Sequence, residues 1–161
     1  MILPAILALD PATTVGWAIA GPDRSCGLPC PDCIKHGTLD LGARKSRAVR
    51  GLAFARWLAE TISTEQIGVI AFEAPAIWSP SGAQRRLSGG LSMLIEVQAE
   101  RMQVAILELQ PGEWRRSIGL KGNAKKPDVM AAVVGLGHDP ATQDEADAIA
   151  ILLHAAMRIR K

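Results

Sequence analysis

No apolar run in the 161 residues approaches the roughly 20 needed to span a bilayer, so no membrane segment is expected. The opening stretch, MILPAILALD, has no basic n-region and closes on an acid, which does not fit a signal peptide. With no targeting signal, the cytoplasm is the expected compartment. There is no internal repeat, low-complexity segment or interdomain linker, and the length suits one domain over 1–161. Cysteine is confined to three residues within 26–33. Charge of one sign is also lacking, for the formal net charge is only +2. What is present is a chain 48% hydrophobic and 21% charged, which is globular rather than disordered.

The distribution of charge says more than its total. Basic residues gather at 44–50 (RKSRAVR), 84–87 (QRRL), 113–126 (EWRRSIGLKGNAKK) and 158–161 (RIRK). If several acids share one site, the remaining surface is more basic than the sum suggests, which suits a polyanionic partner.

Along the chain, 5–21 reads as strand, short turn, strand, and 34–42 as a third extended segment. Between them, 21–33 is a long Gly- and Pro-rich loop, so a Cys-containing insertion is expected at about 21–36. Residues 43–64 read as a helix with Leu52, Ala55, Leu58 and Ile62 on its apolar stripe. Residues 66–75 form a buried strand ending at Glu73, and 76–90 read as a polar loop. A helix over 91–103, a strand from 104 ended near Pro111, a basic loop over 117–127 and a helix over 127–137 follow. The second half of 138–161 forms the last helix. The order is β-β-β-α-β-α-β-α-α, an α/β domain with a mixed five-stranded sheet flanked by helices.

The acids fall at telling places. Asp10 closes the first buried strand and Glu73 closes another. Asp144 and Asp147 stand at i and i+3 on the last helix and share a face. If the two strands are parallel neighbours, Asp10 and Glu73 emerge side by side at the carboxyl edge of the sheet, where sites commonly lie. The last helix, packed on the sheet, can bring Asp147 to that edge. Singly, each acid has an ordinary explanation as a turn opener, a solvated strand end or a helix-start anion. Gathered together they need a counter-charge, because like charges a few ångströms apart oppose ionisation. Mg²⁺ prefers such oxygen ligands, and two ions about 3.5–4 Å apart can serve phosphodiester hydrolysis.

ALDPATTVGWAI, GVIAFEAP and DEADAIAIL resemble the three acidic motifs of the RuvC family of Holliday-junction resolvases, within the retroviral integrase and RNase H-like superfamily. GTLDL, PGEWRR (111–116) and GLKGNAKKPDV resemble the family too, the latter pair most closely its phage and prophage branch. The resemblance implies an RNase H-like fold, a homodimer, Mg²⁺ or Mn²⁺, and cleavage of branched four-way DNA to 5′-phosphate and 3′-hydroxyl ends. It assigns Asp10, Glu73, Asp144 and Asp147 as catalytic metal ligands and makes Glu145 a bystander. Lys121, Lys125 or Lys126 would stand near the scissile phosphate. DNA contacts are expected from Arg44, Lys45, Arg47, Arg85, Arg86, Arg115, Arg116 and Lys121, with Trp78 as a stacking surface. The helix over 91–103 is the candidate dimer contact. Ala12 stands where the family commonly has Gly. Two other readings are an RNase H-like nuclease acting on other branched DNA or structured RNA, and a non-catalytic nucleic-acid-binding module.

Cys26, Cys30, Cys33 and His36 supply the ligand types of a structural Zn²⁺ site, although four ligands within eleven residues do not make a standard finger. Free thiols are the alternative. A Cys30–Cys33 disulfide does not suit a reducing compartment.

Overall fold

The computed structural model describes residues 4–21, 31–75 and 81–160. Its strands are β1 (Ala5–Asp10), β2 (Thr14–Ala20), β3 (Ile34–Asp40), β4 (Ile67–Glu73) and β5 (Ala105–Leu109). Its helices are α1 (Arg47–Thr64), α2 (Gly82–Met102), α3 (Pro111–Ser117), α4 (Lys126–Gly135) and α5 (Gln143–Ile159). The strands form one sheet in the order β3-β2-β1-β4-β5. The first three make an antiparallel meander, while β1–β4 and β4–β5 are parallel, as crossovers through helices require. Among the described residues, no helix is long and apolar enough to cross a membrane.

Strand alternation sorts the core into two layers. Ile6, Ala8, Ala18, Ala20, Val69 and Ala71 face α3, α4 and α5. Leu7, Leu9, Val15, Ile19, Ile70 and Phe72 face α1 and α2. The same period puts Asp10 in line with Ile6 and Ala8, and Glu73 in line with Val69 and Ala71. Both acids therefore belong to the α5 face, at the carboxyl ends of two parallel neighbours.

That face is built from small residues, and α5 answers with Ala146, Ala148, Ala150, Ala155 and Ala156, all fully buried. Small against small lets the helix approach the sheet closely. The closest point is Gly16, paired with Asp10 across β1–β2. A Cβ at Gly16 would lie 2.0 Å from the main-chain oxygen of Asp144, so no larger residue fits.

Three helices depart from the sequence expectation. Residues 82–90 are not loop but the first turns of α2, started by Ser81, whose hydroxyl accepts from the Gln84 N–H. Gly89 and Gly90 mimic a breaker, yet burial of Leu87 and Leu91 outweighs the roughly 1 kcal/mol that each glycine costs a helix. After β5 the chain forms an additional short helix, α3, with Pro111 in its first turn and the Glu113 carboxylate accepting from the Gln110 N–H. It buries Trp114 completely. In α1 the buried stripe is Phe54, Leu58, Thr61 and Ile62, whereas Leu52 is 57% exposed. The stripe is thus rotated from the expected one, because Phe54, rather than Leu52, packs with Leu58 and Ile62 in the layer against the sheet.

Gly16→Ala should force the head of α5 off the sheet. The expected loss is about 3 kcal/mol, the upper part of the overpacking range, read as a lower midpoint in urea denaturation. An unchanged midpoint would contradict the close approach.

Candidate active site

Four elements deliver charge to one edge of the sheet. The chain end of β1 gives Asp10, the end of β4 gives Glu73, and the first turns of α5 give Asp144 and Asp147. Opposite them, the first residue of α4 sends in Lys126. Its Nζ lies 3.1 Å from Asp10 Oδ2, 2.6 Å from Asp144 Oδ1 and 3.0 Å from Asp147 Oδ2. One ammonium thus binds three carboxylates. All three candidate lysines are exposed, and it is Lys126 whose ammonium reaches the acids.

Glu73 is held separately. The indole Nε1–H of Trp114 donates to its Oε2 at 3.1 Å. Arg115 lies over the Trp114 ring, 4.7 Å from the centroid, and its Nη1 donates to the Gly122 carbonyl. The PGEWRR stretch therefore supplies a buried donor, Trp114, and a cation, Arg115, beside the acids.

The electrostatics show negative charge in excess of its compensation. Burial raises Asp10, with the Lys126 ammonium acting in the opposite direction. Burial and then the Asp10 charge push Asp147 up to about 6. Burial and then Asp10 push Glu73 up to about 7, against the lowering influence of Arg115. Burial alone would lower Lys126, but Asp10, Asp144 and Asp147 outweigh it and raise it.

The donor set was tested against the divalent ion that the sequence implies. Among the described residues, no three His, Cys, Asp or Glu side chains close into a ready-made ligand cluster, and the cation amid the acids is Lys126. The chemistry nevertheless fits. The donors are all carboxylate oxygens, as a hard cation requires. Asp147 Oδ1 is buried and has no hydrogen-bond partner among the described residues, an acceptor left for a further cation. Asp10, Glu73, Asp144 and Asp147 are the residues that would hold it.

A cleft of about 640 Å³ opens beside Asp144. It is lined by the β1–β2 turn, by Arg47 and Arg50 of α1, and by Gln84 and Arg86 of α2. Arg47 and Arg86 were expected to meet DNA. Arg50 was not singled out, and its Nε is buried without a partner among the described residues. Only its membership of the 44–50 cluster could have flagged it. Arg44, Lys45 and Arg116 are exposed, and Arg85 lies beside Gly82. Trp78, Cys26 and Cys30 lie outside the described residues.

The other two members of the expected zinc set lie within the described residues. Cys33 is disulfide-bonded, and a disulfide sulfur has no thiolate charge to offer a metal. His36 Nδ1 is 2.8 Å from Glu145 Oε2. Glu145 is accordingly no bystander, being buried and hydrogen-bonded. Gly16, Trp114 and Glu145 are the site-shaping residues that sequence reasoning missed.

No protein-family model matches the sequence, and no curated protein does. Solved structures do match. A structure of Thermus thermophilus RuvC superposes with TM-score 0.75 at 19% identity, covering 97% of this chain and 95% of that one. T. thermophilus RuvC in complex with Holliday junction substrate gives 0.79 at 18%, covering 98% and 95%. The yeast mitochondrial Holliday junction resolvase gives 0.63 at 10%, covering 99% and 82%. The chain has the fold of these proteins.

The raised carboxyls set a pH dependence in chelator. Glu73 at about 7 and Asp147 at about 6 lie above their ordinary values of 4.5 and 3.8. The native state therefore keeps protons that the unfolded chain releases. This contribution to stability is greatest below the ordinary values and is lost as pH rises through about 6 and about 7. Thermal melts in EDTA from about pH 5 to about pH 8 should show Glu73→Gln losing less stability across the window than wild type. Parallel curves for the two proteins would refute the buried-carboxyl assignment.

Proposed function

We propose that this chain is a divalent-metal-dependent endonuclease that resolves four-way DNA junctions by hydrolysis. The observation that carries the reading is the convergence of Asp10, Asp144 and Asp147 on one ammonium, beside Glu73, at the carboxyl edge of this sheet. The fold shared with T. thermophilus RuvC, one structure of which holds Holliday junction substrate, supports the choice of substrate.

Divalent ions held by the four acids would supply Lewis-acid activation of water and stabilisation of the leaving oxygen. The chain's own groups do the remainder. Arg47, Arg50 and Arg86 line the cleft that ends at Asp144, so they bind backbone phosphates and bring one to the acids. Lys126, on the first turn of α4, offsets negative charge that grows on the phosphoryl oxygens. Glu73, with one oxygen fixed by Trp114, is oriented to take a proton from the attacking water. The water oxygen bonds to phosphorus and the bond from phosphorus to the 3′ oxygen breaks. The products are a 5′-phosphate and a 3′-hydroxyl, the latter taking up a proton.

Opposed strands of a symmetric junction call for two such sites, and a homodimer provides them. A groove of about 510 Å³ runs between α1 and α2, lined in part by Leu52, Ala55, Leu91 and Leu94. Nearby Val49, Met93 and Val97 are 50%, 58% and 46% exposed. This apolar face supports a dimer contact through α2, with α1 added to it. Recognition is of junction shape, since phosphate contacts carry no sequence information directly.

Asp10→Asn should abolish cleavage of a synthetic four-way junction in Mg²⁺ while leaving its binding in gel-shift assays within about threefold. Cleavage at the wild-type rate would end the assignment. Leu52→Asp with Val97→Asp should convert the dimer to a monomer by sedimentation and lower paired cleavage of the two strands. A wild-type protein that is already monomeric on junction DNA would remove the dimer from the proposal.

A further inference from the structure

The residue between the two aspartates of α5 is an unusual choice for its place. Glu145 is 6% exposed and stands on the side of the helix that meets the edge of the sheet. Its backbone N–H donates to the Thr142 hydroxyl, and its Oε2 accepts from the Ala141 N–H at 3.1 Å. These two bonds make the usual reciprocal start of a helix, displaced by one residue. The third bond is not part of any helix cap. Glu145 Oε2 also meets His36 Nδ1 at 2.8 Å, across 109 positions of sequence. As an ionised carboxylate accepts only, His36 donates.

His36 belongs to β3 and pairs with Ala18 of β2, two residues along from Gly16. Ile34, two residues before it, packs in the α5 layer, so the strand period aims the imidazole at α5. The head of α5 is thereby located at two points. Gly16 lets the Asp144 main chain settle on β2, and His36 fixes the next residue sideways to β3. Asp144 and Asp147 flank Glu145 on the same turn. Their distance from Asp10 follows from where that turn lies.

We infer that His36 and Glu145 are a positioning pair that holds the first turn of α5 in the register needed for Asp144 and Asp147 to share a cation with Asp10. The inference rests on reading those acids as a cation site. The pair touches neither substrate nor the reacting phosphate. It acts as outer-shell partners act around metal ligands, whose removal typically costs 10–100-fold in metal affinity.

The test uses the full chain without DNA, titrated with Mn²⁺ and read by the electron paramagnetic resonance of free ion. Glu145→Ala and His36→Ala should each raise the Mn²⁺ dissociation constant about tenfold. Glu145→Gln keeps the acceptor oxygen and should stay within about threefold of wild type. The double variant should be no weaker than the worse single one, because both remove the same contact. Junction cleavage should show the loss in kcat and in the Mg²⁺ midpoint, with KM for junction unchanged. His36 is part-exposed on an edge strand, so His36→Ala carries the test if Glu145→Ala does not fold. Wild-type Mn²⁺ affinity in folded His36→Ala, or full additivity in the double variant, overturns the inference. Asp147→Asn separates the two levels. If it abolishes Mn²⁺ binding while His36→Ala does not change it, only the positioning role fails. If Asp147→Asn leaves Mn²⁺ binding unchanged, the cation site itself fails.

Discussion

The structure depends on how closely α5 lies on the sheet. Eleven residues of this helix are buried, and the face beneath it carries Ala8, Gly16, Ala18, Ala20 and Ala71, where the opposite face of the same strands carries Leu7, Leu9, Ile19, Ile70 and Phe72. This packing stabilises the domain through apolar burial, but it also fixes geometry. A helix seated on small residues has little room to slide, and Asp144 and Asp147 ride on its first turns. The site is therefore a by-product of core packing at one end. Gly16 is where the two demands meet, since it permits the contact and lies opposite Asp10 in the sheet.

Close packing has an electrostatic consequence. Bringing four carboxylates to a nearly dry edge raises Asp10, Glu73 and Asp147 together, because burial and mutual repulsion act in the same direction. Lys126 and Arg115 offset part of this. An apolar replacement of the acids would cost less to fold, so stability does not account for their presence here. One Asp147 oxygen has no partner among the described residues, and a buried acceptor left unmet costs about 1–3 kcal/mol.

Much of this was legible in the sequence, for identifiable reasons. Asp10 and Glu73 each end an apolar run, and Asp144 and Asp147 share a helical face; both are local patterns with fixed periods. The mixed five-stranded sheet followed from element order, whereas the parallel pairing of β1 with β4 stood only as a condition that the register meets. Other features have no local signature. Gly89 and Gly90 look like punctuation, and only burial of Leu87 and Leu91 reveals a helix through them. Lys125 and Lys126 cannot be ranked without knowing which faces the acids. Glu145 resembles an ordinary helix-start anion until β3 brings His36 to it from 109 positions away. Gly16 sits in a strand where a bulkier residue would have matched the pattern better, and a glycine there signals close backbone approach.

The two layers of the fold divide the work. The α5 layer carries acids, and the α1–α2 layer carries Arg47, Arg50 and Arg86. Opposite charges placed in one layer would neutralise each other as surface ion pairs of small value. Set on opposite sides of the sheet, they meet only at its carboxyl edge, around the β1–β2 turn. A polyanion drawn to the arginines is thereby delivered to that edge, and there the acids repel it unless further cations intervene. On the function proposed above, the arrangement makes affinity and chemistry separable: the arginines would govern whether DNA arrives, and the state of the acids whether a phosphate can stay.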